Sequence, residues 1–158
     1  IGVVTLAEGK DTDVSAKAYD AMVREVKALL HDFETTHGIT NHIAEGGVQM
    51  LGTSGTTTTL ASIAFDLKRY DRARVDGSYL ERTQFDEALR RLLATTLAER
   101  IANPCIGKGR ADLVIQGCTI LEAIWRTWPL PRLRVADRGI REGILKNLIR
   151  TAPGRELS

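Results

Sequence analysis

The sequence predicts an α/β fold with a small mixed sheet and flanking helices, on three observations. Short apolar runs alternate with segments of helical periodicity, a glycine turn joins one run directly to a helix, and the composition suits one globular domain. Of 158 residues, 43% are hydrophobic and 27% charged, with 14 Gly and 4 Pro, which excludes collagen-like, low-complexity and disordered chains. Twenty-two Lys and Arg against 20 Asp and Glu leave a net charge of +2, so no nucleic-acid partner is expected. No apolar run approaches the roughly 18 residues of a membrane span, and acids occupy the first 20 positions where a signal peptide is apolar. A soluble chain without a membrane partner is expected.

Ile1-Gly2-Val3-Val4-Thr5-Leu6 reads as a strand, and a chain opening on a strand without methionine is expected to be a piece of a longer one. From Asp13 to His37, Val14, Ala18, Met22, Val26, Leu29, Leu30 and Phe33 recur every three or four positions, a helix with Gly38 as its C-terminal stop. After a polar connection, Val48-Gln49-Met50-Leu51 forms a second strand that enters Gly52-Thr53-Ser54-Gly55-Thr56. Leu60, Ile63, Ala64 and Leu67 mark the helix after it. Thr83 with Asp86 suggests a capped helix bearing Phe85, Ala88, Leu89 and Leu92, and Thr96 with Glu99 a capping box for a short helix ending before Pro104.

The segment from Arg110 to Trp128 is apolar almost all round and should be buried. Gly117 within it costs about 1 kcal/mol relative to Ala, which points to a close helix crossing. Beyond Pro129 and Pro131, Leu133-Arg134-Val135-Ala136 is a third strand, and Asp137 caps a last helix bearing Ile140, Ile144, Leu145, Leu148 and Ile149. Residues 1–150 thus form the domain and 151–158 a frayed tail. Three strands are few for so many helices, so further strands are expected upstream, leaving Ile1–Leu6 as a bare edge through which two molecules could pair as a dimer.

Gly52-Thr53-Ser54-Gly55-Thr56 lies where a strand end meets a helix start. There, glycines admit close backbone approach, the first helical N–H groups are unpaired and hydroxyls add donors, so an anion fits. The loop lacks the lysine of a P-loop and the third glycine of a dinucleotide fingerprint; a tight turn with a Ser or Thr cap is the alternative. Thr56 to Thr59 are poor helix starters; they either line a polar cleft or bond back to helix carbonyls. Arg110, in Gly107-Lys108-Gly109-Arg110-Ala111-Asp112, either faces a ligand or pairs with Asp112. Asp137-Arg138-Gly139 follows a strand end, where open α/β sheets gather ligands, or is a cap beside an exposed Arg. The chain's end from Arg132 is locally basic, which suits a polyanion or a solvated helix face. Cys105 and Cys118 form no metal-ligand spacing, and with no disulfide framework a cytoplasmic setting is expected. His31, His37 and His42 form no triad or metal pattern.

Taken in order, Ile1–Leu6, Gly52–Thr56 with Thr58-Thr59-Leu60-Ala61, Asn103-Pro104 with Gly109-Arg110-Ala111-Asp112, and Arg134-Val135-Ala136-Asp137-Arg138-Gly139-Ile140-Arg141-Glu142-Gly143-Ile144-Leu145 resemble the exopolyphosphatase and guanosine pentaphosphate phosphohydrolase family over nearly the whole chain. The resemblance implies the actin-like, ribonuclease-H-like ATPase fold of two α/β lobes, this chain being most of the second. It implies a hydrolase that removes terminal phosphate from inorganic polyphosphate or the 5′ γ-phosphate from guanosine pentaphosphate, with Mg²⁺, and with its catalytic glutamate in a first lobe. On that model Gly52, Thr53, Ser54, Gly55 and Thr56 bind phosphate or nucleotide, while Arg110, Asp137, Arg138 and Gly139 face the cleft or the other lobe. The expected partners are polyphosphate or guanosine tetra- or pentaphosphate and the N-terminal lobe. The stretch alone would then lack hydrolytic activity and any metal ligands. Two alternatives remain open: a non-hydrolytic phosphonucleotide-binding module and a kinase-type phosphotransferase lobe.

Overall fold

The computed structural model describes residues 14–151. The strand expected at Ile1–Leu6, the dimer contact built on it, and the tail beyond Thr151 lie outside the described residues. Helix α1 (Ala16–His37) is capped by the Ser15 hydroxyl and ends at Gly38, whose φ of 57° is the left-handed conformation glycine adopts most readily. Its buried face is Tyr19, Met22, Val23, Val26 and Leu30. Leu29 and Phe33 were expected on that face but flank it and stay exposed; Phe33 instead meets Trp128 edge-on at 6.0 Å. The connection after Gly38 contains the short helix α2 (Ile39–Glu45).

Strand β1 (Met50–Gly52) runs into helix α3 (Gly55–Ala64). Two elements without a sequence signal follow, α4 (Arg72–Val75) and strand β2 (Tyr79–Glu81), each too short for periodicity to show. Helix α5 (Arg82–Leu93) is not capped by Thr83: the Gln84 side chain accepts from the Glu81 N–H at 3.0 Å, starting the helix two residues earlier. Helix α6 (Leu97–Ala102) has the expected box, with Thr96 N donating to Glu99 at 2.8 Å and Glu99 N to Thr96 at 3.3 Å. Helix α7 (Val114–Thr127) starts later than its apolar pattern, because turns occupy 103–113 and leave Leu113 exposed. Strand β3 (Arg132–Val135) and helix α8 (Ile140–Thr151) complete the described chain.

The sheet has the order β1-β3-β2, with β3 parallel to β1 and antiparallel to β2. Alternation along β3 sends Leu133 and Val135 into the core and leaves Arg132 and Arg134 outside. The core gathers Leu80, Phe85, Leu60 and Trp125 between sheet and helices. Trp125 packs on Phe85 at 5.2 Å between ring centroids, and its indole N–H donates to Leu130 O at 2.6 Å. Its burial keeps the large ring area dry while its one donor is satisfied. Glu122, buried on α7, is neutralised by Arg82 at 2.9 Å and by Arg126, which reaches Asp20 on α1 at 3.4 Å. This network ties α1, α5 and α7 together.

One expectation for the C-terminal segment fails. Asp137 does not cap α8, because its carboxylate is held by Arg72 at 2.8 Å; the Gly139 N–H donates instead to Glu142 at 2.8 Å. The apolar residues of α8 stay outside the core, and none of its residues is buried.

Candidate functional site

The parallel pairing of β1 and β3 places their C-terminal ends side by side, so the loops at 52–56 and 136–139 leave the sheet together. The Ala136 N–H donates to Gly52 O at 2.9 Å. Gly52 is required by packing: a Cβ there would lie 2.7 Å from Thr57 Cγ2 and 3.1 Å from Leu133 Cδ2. Ser54, extended at φ −87° and ψ 157°, caps α3 by accepting from Thr57 N at 3.3 Å. The amides of Gly55 and Thr56 begin the helix without intrahelical acceptors, at its positive end.

The threonine run resolves into two roles. Thr57, Thr58 and Thr59 are buried and tie inward, Thr58 Oγ1 donating to Gly55 O at 3.1 Å and Thr59 Oγ1 to Cys105 O at 3.4 Å, while Thr57 Oγ1 lies 3.0 Å from Ser54 Oγ. Thr56 is directed outward against Gly117, where a Cβ would stand 2.1 Å from Thr56 Oγ1. The expected close crossing is therefore between α7 and the start of α3.

Arg110 comes to this turn from a distant part of the chain. A Cβ on Gly55 would lie 2.9 Å from its Cζ and Nη1, so the guanidinium lies against the glycine backbone at the helix start. It makes no pair with Asp112. Among the described residues, no carboxylate or carbonyl engages the guanidinium. Gly55, Thr56, Thr59, Arg110, Leu113 and Val114 line a cavity of about 180 Å³. A second, of about 290 Å³, opens on the other side of the loop, where Gly52, Thr53, Ser54 and Thr56 meet the apolar side chains of Ile120, Ile124 and Leu133.

Sequence reasoning missed Arg100. This buried arginine on α6 donates from Nε to Ala111 O at 3.0 Å and from Nη1 to Thr95 O at 2.5 Å. It thereby fixes the turn that aims Arg110. An arginine in a short capped helix carries no signal of burial.

Asp137, Arg138 and Gly139 stand beside the loop but line neither cavity. Arg72 holds both the Asp137 carboxylate and its carbonyl, the latter at 2.9 Å; Arg138 pairs with Asp76 at 3.2 Å, and Asp137 N donates to Asp76 at 3.0 Å. Burial, with the hydrogen bond to Asp137 second, pushes the Tyr70 hydroxyl up to about 12. The segment is a latch between the 70–78 stretch and the sheet. Among the described residues, no group of three or more His, Cys, Asp or Glu could hold a metal ion, and no helix is long and apolar enough to cross a membrane.

A small mixed sheet flanked by helices and opening at the carboxyl ends of a parallel strand pair fits the actin-like, ribonuclease-H-like ATPase fold that the sequence resemblance implies. The comparisons bear this out: a solved Ppx/GppA family member from Aquifex aeolicus superposes with a TM-score of 0.75 at 20% identity, covering 92% of this chain and 44% of that one. An exopolyphosphatase-like protein gives a TM-score of 0.76 at 24% identity, over 89% of this chain and 45% of its own. The chain belongs to the Ppx/GppA phosphatase family, whose model matches residues 1–152. Among curated proteins it is 29% identical over 102 residues to Exopolyphosphatase 2 of Mycobacterium tuberculosis, a match covering 62% of this chain and 32% of that protein. The chain thus spans about a third of the curated relatives' length and less than half of the solved chains.

Proposed function

We propose that this chain is the phosphate-holding part of a phosphohydrolase that removes terminal phosphate from inorganic polyphosphate or the 5′ γ-phosphate from guanosine pentaphosphate. Family membership supports the reaction class. The observation that carries the local assignment is the Arg110 guanidinium, without an acidic partner and laid over Gly55 at the start of α3. A phosphate in the cavity there meets the Arg110 cation, the free amides of Gly55 and Thr56, and the Thr56 side chain. Ser54 and Thr53 border the adjoining space, while Asp137, Arg138 and Gly139 face the rest of the protein rather than substrate.

In this reading the loop and Arg110 hold the charged phosphates, and a carboxylate elsewhere in the full-length protein orients the attacking water. Mg²⁺ is the cation proposed for the reaction. The described residues offer no ligand cluster for it, so no role for them in metal binding is assigned. The working partners are polyphosphate or guanosine tetra- or pentaphosphate, in the cytoplasm.

The test is phosphate release by the full-length protein from long-chain polyphosphate and from guanosine pentaphosphate, compared with Arg110→Met. Loss of one charge-assisted contact, worth about 1.5–3 kcal/mol, raises KM by roughly ten- to a hundredfold. An Arg110→Met protein with unchanged KM for both substrates would overturn the assignment.

A further inference from the structure

Arg110 projects from a segment that has no regular structure of its own. Turns carry the chain from Asn103 to Leu113, and Arg110 is exposed while Cys105, Ile106 and Ala111 are buried. A run of turns lacks the repeating i to i−4 bonds that give a helix its shape. The place of Arg110 over Gly55 therefore depends on what holds the segment near its two ends.

The downstream hold is Arg100. Its side chain is buried, and its Nε donates to Ala111 O at 3.0 Å while Nη1 donates to Thr95 O at 2.5 Å. Ala111 follows Arg110 directly, and the Arg110 carbonyl accepts from the Leu113 and Val114 amides at 3.0 and 2.9 Å, so the same stretch opens α7. A planar guanidinium can grip two carbonyls at a set angle, which the single ammonium of a lysine cannot. Burying an arginine is a costly route to stability alone, since an apolar side chain of similar volume often serves as well. What the guanidinium adds is direction.

The upstream hold is Cys105, which joins the segment to α3. Its carbonyl accepts from Thr59 Oγ1 at 3.4 Å, its thiol donates to Leu67 O at 3.2 Å, and its N–H donates to Asn103 Oδ1 at 2.9 Å. Thr59 lies about one turn beyond Gly55 and Thr56 on the same helix. The bond therefore registers the Arg110 segment against the helix whose first residues line the cavity.

We propose that Arg100 and Thr59 are positioning residues for the phosphate site. Arg100 sets the Arg110 backbone from one end, Thr59 registers the segment on α3 from the other, and both act through Arg110. This rests on the reading of Arg110 given under the proposed function. A misplacement of about 1 Å can cost a site on the order of a hundredfold, so loosening either hold is felt at the substrate.

Phosphate release by the full-length protein from long-chain polyphosphate tests it. KM and kcat are measured separately for Arg100→Met, Arg100→Lys, Thr59→Val and Thr59→Ser, each alone and combined with Arg110→Met. Arg100→Met should raise KM about tenfold and change kcat by less than about threefold. Arg100→Lys keeps one donor for Ala111 O and should recover part of the rise. Thr59→Val removes the hydroxyl at nearly constant volume and should raise KM about threefold, with Thr59→Ser nearer the parent. Combined with Arg110→Met, none of the four should move KM further, because the group they position is gone. A rise of the same size with Arg110 already replaced overturns the proposal, and so does an unchanged KM in folded Arg100→Met protein. If Arg100→Met does not fold, Thr59→Val decides on the same two outcomes. The two claims separate: an unchanged KM in Arg110→Met sinks the functional reading, whereas a raised KM there beside an unchanged KM in Arg100→Met and Thr59→Val sinks this inference alone.

Discussion

Replacing Gly117 by alanine probes the contact on which the geometry of the phosphate loop depends. In an ordinary helix interior the change stabilises by about 1 kcal/mol. Here the new Cβ falls 2.1 Å from Thr56 Oγ1 and 3.1 Å from Thr56 Cβ and Cγ2, inside any tolerable contact. A rotamer that turns the Thr56 hydrogen to that site still leaves the Thr56 Cβ at 3.1 Å, so Thr56 must leave its present rotamer and α7 must give by a few tenths of an ångström. Overpacking of this kind costs about 1–3 kcal/mol, and the net expectation for Gly117→Ala is a loss of up to about 2 kcal/mol. The clash disappears when Thr56 becomes alanine. In a double-mutant cycle followed by urea denaturation of the 158-residue chain, Thr56→Ala should therefore restore stability to Gly117→Ala, with a coupling of about 1–3 kcal/mol. A Gly117→Ala chain that gains the full helix-propensity benefit while Thr56 is present would refute the reasoning.

Gly55→Ala should behave in the opposite way. Its Cβ meets the mobile end of Arg110, so stability changes by less than about 1 kcal/mol while polyphosphate affinity, read by calorimetry, falls. The Cys118 thiol is pushed far up by burial, and Cys105 is raised by the same cause; neither should react with a thiol reagent at neutral pH until denaturant is added. Glu34 is held below the usual carboxylate range, chiefly by the Trp128 indole N–H at 2.5 Å. A depressed folded-state value means that its contribution is present above the ordinary carboxylate pKa and is lost as pH falls through the lowered one, so the Trp128 fluorescence transition should lie below the range of free glutamate. With Mg²⁺ and long-chain polyphosphate, the 158-residue chain should release no phosphate above background by a colorimetric assay.

Much of the fold was legible because its signals are local. The Thr96/Glu99 box, the Gly38 stop and the passage from strand to glycine turn to α3 are each written within a few residues. Elements defined by pairing were not: β2 is three residues whose only claim to be a strand is β3 beside it, and α4 is a single turn held at Asp71. Misplaced starts came from signals of equal strength at neighbouring positions. Glu81 with Gln84 shows the same spacing as Thr83 with Asp86, and the reciprocal bond of the former decides. The loop at 52–56 was readable as a candidate, yet its partner Arg110 comes from more than 50 positions away and is aimed by the buried Arg100, which no periodicity reveals. Asp137 and Arg138 follow a strand end, which the sequence shows; their pairing with Arg72 and Asp76 is not legible there, because only tertiary structure brings these groups near.

The most direct test of phosphate holding is the backbone amide spectrum of the 158-residue chain titrated with a short polyphosphate. The account predicts saturable shifts concentrated at Gly55, Thr56 and the Arg110 side chain, diminished in Arg110→Met. Shifts spread instead over the basic residues of α8, with the loop amides unmoved, would contradict it.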